Sequence, residues 1–267
     1  MNKKWIVVCL ISVVMFCLSP MASYAKSLAV MSVYSQANEK NSLLADKAIQ
    51  VNIPSGSGWY PFVMTYNADR EFAAFIGEKD KRLTIMYNFP EFDLNKGCSK
   101  IYDPASPYYS SFYGAYAVSG SYGFDENKEF QPEVISRVPE FDLKKLVLED
   151  LGMDGDVTFD WDINIIEENV TYAGYDGWIR VEADIRVNGL LHEKDEYLQN
   201  YIQYGTPNYD LNGRRDFEPV NMAGRVYTRY FKEEDITICF YIIAGGLATV
   251  DECDEKILGK STISSMD

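Results

Sequence analysis

Histidine is almost missing from this chain, with His192 as its single representative. Two-histidine metal motifs are therefore excluded, and zinc hydrolysis becomes improbable because such sites draw on several histidine ligands. A Ser-His-Asp or Cys-His arrangement would have to use His192. That residue lies in the charged stretch Leu191-His192-Glu193-Lys194 and reads as a surface side chain. No Gly-x-Ser-x-Gly elbow is present, and Gly152-Met153-Asp154-Gly155 lacks the lysine and spacing of a phosphate-binding loop. Positive charge is also scarce. The chain carries 25 lysines and arginines against 40 acids, a formal charge of −15, and no basic run longer than two residues. Such an excess of acid repels nucleic acid and anionic lipid, so neither is an expected partner.

Long hydrophobic runs are missing after the first segment. Lys3 and Lys4 precede an apolar run of 14 residues, Trp5–Leu18, and Ser23-Tyr24-Ala25 offers a small-residue exit. A positive start, a short apolar middle and a small-residue end form the pattern of a secretory signal. A spanning helix needs about 20 apolar residues, and Pro20 follows closely, so cleavage is favoured over a retained anchor. A lipid anchor at Cys17 is disfavoured by the bulky Met15-Phe16 before it. The expected organisation is a signal peptide over 1–25, a linker or helix over 26–47, and one domain over 48–267. Removing the signal takes away Lys3 and Lys4 and moves the charge from −15 to −17. The protein is then secreted or extracytoplasmic, with no stable membrane insertion.

Cysteine is sparse as well. Five occur in all, and Cys98, Cys239 and Cys253 remain after the signal. An odd count is not a pure intramolecular disulfide framework. Free thiols are the expectation, with a Cys239–Cys253 bridge as the alternative.

What is abundant is period-two alternation. Val157, Phe159, Trp161, Ile163 and Ile165 alternate with Thr158, Asp160, Asp162 and Asn164. Ile179, Val181, Ala183, Ile185 and Val187 alternate with Arg180, Glu182, Asp184 and Arg186. One buried and one wet face mark antiparallel strands, and turn-prone Asn169, Gly174, Asp176 and Gly177 between them predict that they pair. Arg180 and Arg186 would then face the acids of the first strand. Arg225–Phe231 and Ile236–Ile243 read as further strands, with Ala244-Gly245-Gly246 turning the chain into a third at Leu247–Val250. Asp251–Gly259 reads as a short closing helix. In the first half, Ile49–Ile53, Phe62–Tyr66, Phe72–Ile76 and Arg82–Phe89 read as short strands, and Phe141–Leu151 as a helix between Pro139 and Gly152. Leu190–Tyr204 fits either a helix or a strand. Pro90-Glu91-Phe92-Asp93-Leu94 recurs at Pro139–Leu143, but a solenoid would need several copies.

Val51-Asn52-Ile53-Pro54 followed by Gly58-Trp59 resembles the opening of PsbP/Mog1-like domains. Phe240-Tyr241-Ile242-Ile243 with Gly245-Gly246, then Ile257-Leu258 to Ser261, resembles their closing strands and helix. The resemblance spans the outline of residues 47–263 and implies an antiparallel sheet flanked by helices. The Tyr-rich insertion and the segment 190–222 depart from the compact pattern. That family has no common catalytic site, so it implies a scaffold without naming a reaction. The expected fold class is α+β, an antiparallel β-sheet with one polar face and helices packed on the other, PsbP/Mog1-like.

The stretch 102–124 is the compositional outlier, an aromatic-rich insertion with Tyr102, Tyr108, Tyr109, Phe112, Tyr113 and Tyr116 among serine, glycine and proline. Exposed Tyr/Ser/Gly loops make good recognition surfaces, because the ring and hydroxyl bind at small entropic cost. The alternative is that these rings pack beneath the loop. The favoured reading is a non-catalytic binding protein for an envelope or extracellular ligand (glycan, peptide or protein), with those six residues as the contact surface and no cofactor. A secreted hydrolase using a carboxylate pair such as Asp160 and Asp162 is the first rival. An accessory subunit that holds a protein partner is the second. Asp154, Asp156, Asp160 and Asp162 miss the EF-hand spacing, which disfavours calcium.

Overall fold

The computed structural model describes residues 49–54, 64–67, 76, 83–90, 105–109, 111–135, 158–188 and 220–265. Along the described chain run β1 (Ile49–Asn52), β2 (Met64–Asn67), β3 (Leu83–Asn88), β4 (Phe112–Ser119), a short α1 (Pro132–Ile135), β5 (Thr158–Tyr172), β6 (Tyr175–Asn188), β7 (Val220–Phe231) and β8 (Ile236–Ala244). Helix α2 (Leu247–Lys256), a 3-10 turn (Leu258–Lys260) and β9 (Thr262–Ser265) complete them. Seven strands form one antiparallel sheet in the order β2-β3-β4-β8-β7-β6-β5, and β1 pairs with β9 in a separate two-stranded ladder. The fold is sheet-dominated and α+β-like.

The alternation read at 157–165 and 179–187 is realised as β5 and β6, which pair directly, Asp160 opposite Arg186 and Glu167 opposite Arg180. Their turn is Ala173-Gly174, both with positive φ (49° and 83°), the tight two-residue geometry that suits the twist of a hairpin. β7 and β8 follow as a second hairpin, so β5 to β8 make a four-strand meander.

The third strand expected after β8 is instead a helix. Ala244-Gly245-Gly246 resembles a hairpin turn, but Gly246 is extended (φ 179°) and caps α2. Its carbonyl accepts from the amides of Thr249 and Val250 at 3.0 and 3.1 Å, which commits Leu247–Val250 to the first helical turn. The closing helix therefore starts before Asp251 and ends at Lys256, ahead of the 3-10 turn. Ile76, placed in a strand by its neighbours, is helical.

The core lies where β4 and β8 meet. Every residue of β8, and of β4 from Phe112 to Val118, is buried. Both faces of the sheet's middle are thus covered, and at the β5–β6 end Asp160, Asp162, Asp184 and Arg186 are exposed. Trp178, Tyr113, Tyr116, Tyr241, Phe112 and Phe240 are among the largest fully buried side chains. Cys239 and Cys253 are both buried, and no disulfide bridge joins them. The expected helix at 141–151, the segment 190–204, His192 and Cys98 lie outside the described residues.

Candidate functional site

The aromatic stretch divides into two parts. Phe112, Tyr113 and Tyr116 belong to β4, between β3 and β8, and are at most 1 % exposed. Phe112 meets Tyr241 edge-on at 5.8 Å between ring centroids, Tyr116 approaches the same ring at 6.0 Å, and the Tyr113 hydroxyl donates to the Pro54 carbonyl at 3.1 Å. These three rings are core, and no ligand reaches them without the sheet opening. β4 is buried on both faces from Phe112 to Val118, so its aromatic side chains carry packing rather than recognition.

The remaining part is the turn at 105–109. Tyr108 is 9 % exposed, and its hydroxyl donates to Glu252 Oε2 on α2 at 3.1 Å. The Thr249 hydroxyl donates to the Pro107 carbonyl at 3.3 Å, tying the same turn to the start of α2. Tyr109 is half-buried, Pro107 is exposed, and Leu247, in the first turn of α2, is 47 % exposed. The turn and the β8–α2 junction therefore share one end of the sheet. Tyr102 lies outside the described residues.

A second constellation escaped the sequence reading. Arg225 on β7 is 8 % exposed and stands directly opposite Glu182 on β6. Its Nε donates to Glu182 Oε1 at 2.8 Å, its Nη1 to Asp254 Oδ2 at 3.0 Å and its Nη2 to Asp251 Oδ1 at 2.6 Å. Asp251 and Asp254 sit three apart on α2, so one helical face presents both carboxylates to the sheet. Asp254 also accepts the hydroxyls of Tyr172 (2.8 Å) and Tyr227 (2.6 Å), whose rings stack at 3.7 Å. Arg180 reaches Glu182 at 3.6 Å and Glu167 at 3.0 Å, extending the network to β5.

Burial disfavours the Arg225 charge, but its hydrogen bonds to Asp251 and Asp254 outweigh that and hold its pKa above the ordinary value. Burial, with the neighbouring Asp254 anion, raises Tyr172 and Tyr227. Each buried charge is met by opposite charge or by donors, as a stable buried network requires. The arrangement clamps α2 to the sheet. The signal that could have found it is an arginine inside an otherwise apolar strand, together with the Asp-x-x-Asp spacing of the following helix.

The Asp160–Asp162 pair lies exposed along β5, opposite Arg186 and Asp184. A glycosidase acid needs one carboxyl against apolar surface to raise its pKa, and neither exposed side chain has that setting. Among the described residues no group of three or more His, Cys, Asp or Glu side chains is placed to hold a metal ion. Asp154 and Asp156 lie outside them. No helix of the described residues is long and apolar enough to cross a membrane.

The buried phenols and thiol set an alkaline limit on stability. Burial raises Tyr116, Tyr172 and Tyr227 and pushes the Cys239 thiol up to about 12. In the unfolded chain these groups ionise at about their ordinary values, near 10 for tyrosine and 8.5 for cysteine. Below those values their contribution is fully present. It is lost as pH rises towards the folded values, because the unfolded state then binds fewer protons than the native one. Chemical denaturation from pH 8 to 11 should show stability falling, by about 1.4 kcal/mol per pH unit for each group past its unfolded pKa. A flat profile would mean that these groups are accessible.

No protein-family model matches the chain, and neither a curated protein nor a solved structure matches it.

Proposed function

We propose that the chain is an extracytoplasmic, non-catalytic binding protein built on a PsbP/Mog1-like scaffold. It captures an envelope or extracellular ligand through the surface part of its aromatic stretch. The observation that carries this reading is the anchored turn at 105–109. Tyr108 fastens it to α2 through Glu252, and Thr249 holds Pro107, so Tyr109 and Pro107 are offered beside the exposed Leu247 from a fixed base. A pre-ordered aromatic surface binds with less entropic loss than a free loop. Exposed apolar side chains at a fixed position suit the faces of sugars or the side chains of a peptide.

The test is a thermal-shift screen of the full chain against cell-wall fragments, simple glycans, short peptides and calcium. A ligand that binds the folded state at one hundred times its Kd adds about 2.7 kcal/mol of stability and raises Tm. The shift should disappear in a Tyr109→Ala, Leu247→Ala double variant whose ligand-free Tm is unchanged. A screen with no shift, or a shift that survives the double variant, would overturn the assignment of this surface.

A further inference from the structure

We propose that the outer edge of β5 takes up an extended cationic segment of another protein as an added strand. β5 ends the seven-stranded sheet and, among the described strands, pairs with β6 alone. Six consecutive residues, Asn164–Asn169, are exposed, so this stretch is open on both faces. Ile165 and Ile166 are 41 % and 48 % exposed and, with Leu247, are the exposed large hydrophobic side chains among the described residues. An edge with unpaired backbone groups and apolar side chains is a template for strand addition.

Charge selects the occupant. β5 contains Asp160, Asp162, Glu167 and Glu168 and no lysine or arginine. Arg180 pairs with Glu167 across the ladder and Arg186 stands opposite Asp160. Asp162, however, stands opposite Asp184, a like-charge arrangement that costs stability. The Asn164 amide donates to Asp184 at 2.9 Å, which orients that carboxylate without cancelling its charge. A lysine or arginine from an incoming strand would cancel it. The same acids oppose pairing of two copies of β5, edge to edge, by repulsion. Self-association is thus blocked while a basic strand is attracted, which is specificity by repulsion of the wrong partner.

The experiment uses the full chain and four labelled octapeptides, read by fluorescence anisotropy at low ionic strength. They are alternating Lys-Val, alternating Glu-Val, and Lys-Val peptides N-methylated at every second residue in each of the two phases. Lys-Val should bind, Glu-Val should not, and one methylated phase should bind at least about tenfold more weakly because its strand-forming donors are gone. The Asp162→Asn, Glu168→Gln variant should weaken Lys-Val binding, whereas the Tyr109→Ala, Leu247→Ala variant should leave it unchanged. This separates the edge from the aromatic surface. Absence of Lys-Val binding would overturn the proposal. Equal binding of both methylated phases and the parent would overturn it too, since attraction would then be charge alone.

Discussion

Replacing Arg225 with methionine is expected to destabilise the protein by about 3–5 kcal/mol, the usual consequence of removing one partner from a buried ion network. Methionine fills much of the same volume, so little of the loss comes from a cavity. The loss comes from what stays behind. Glu182 and Asp254 are both buried and share the guanidinium, and without it two carboxylates remain near each other in a poorly hydrated site. Asp254 keeps the Tyr172 and Tyr227 hydroxyls, while among the described residues Glu182 keeps the longer contact to Arg180. Adding Glu182→Gln to the Arg225→Met protein should therefore recover part of the stability, because it removes an uncompensated charge. Urea denaturation of the wild type and of the single and double variants measures this. A loss below about 1 kcal/mol for Arg225→Met would mean that the network is solvated and contributes little, as surface ion pairs do.

Gly114→Ala should be comparably severe for a different reason. Gly114 lies on β4 between β3 and β8, and a Cβ there would sit 2.1 Å from the Met86 carbonyl oxygen and 2.8 Å from the Tyr241 hydroxyl. The first neighbour is backbone and cannot swing aside. Relief requires β3 to separate from β4 within the buried part of the sheet. Overpacking of this kind costs about 1–3 kcal/mol and sometimes more, and the upper end is expected here. Gly246→Ala is the control, since no atom lies within 4 Å of its added Cβ. Thermal denaturation should show a large drop in Tm for the first and a small change for the second. Similar behaviour of the two variants would mean that β3 is loosely held against β4.

The parts legible in the sequence share one cause. β5 and β6 alternate strictly because each has a face in contact with water, and alternation is visible in a single chain. β4 is different. Flanked on both sides and covered on both faces, Phe112–Ser119 reads as aromatic and small residues in series, and the tyrosines and serines around it suggest a loop. Of the six candidate contact residues in that composition, four (Tyr108, Phe112, Tyr113 and Tyr116) are buried in the core. Burial on both faces erases the periodic signal. The start of α2 was misread because Gly245-Gly246 carries no mark that separates a hairpin turn from a helix cap. The Arg225 clamp draws on Glu182, Asp251 and Asp254 from two other elements, so only register and helix placement bring it together.

The β1–β9 ladder has a mechanical consequence. Ile49 pairs with Ser265 and Asn52 with Thr262, so the two strands enter the ladder from the same end. Tension applied at those points would act across the hydrogen bonds one pair at a time, as in a zipper, rather than along all of them together. The ladder would peel at low force. The seven-stranded sheet would take the load only afterwards.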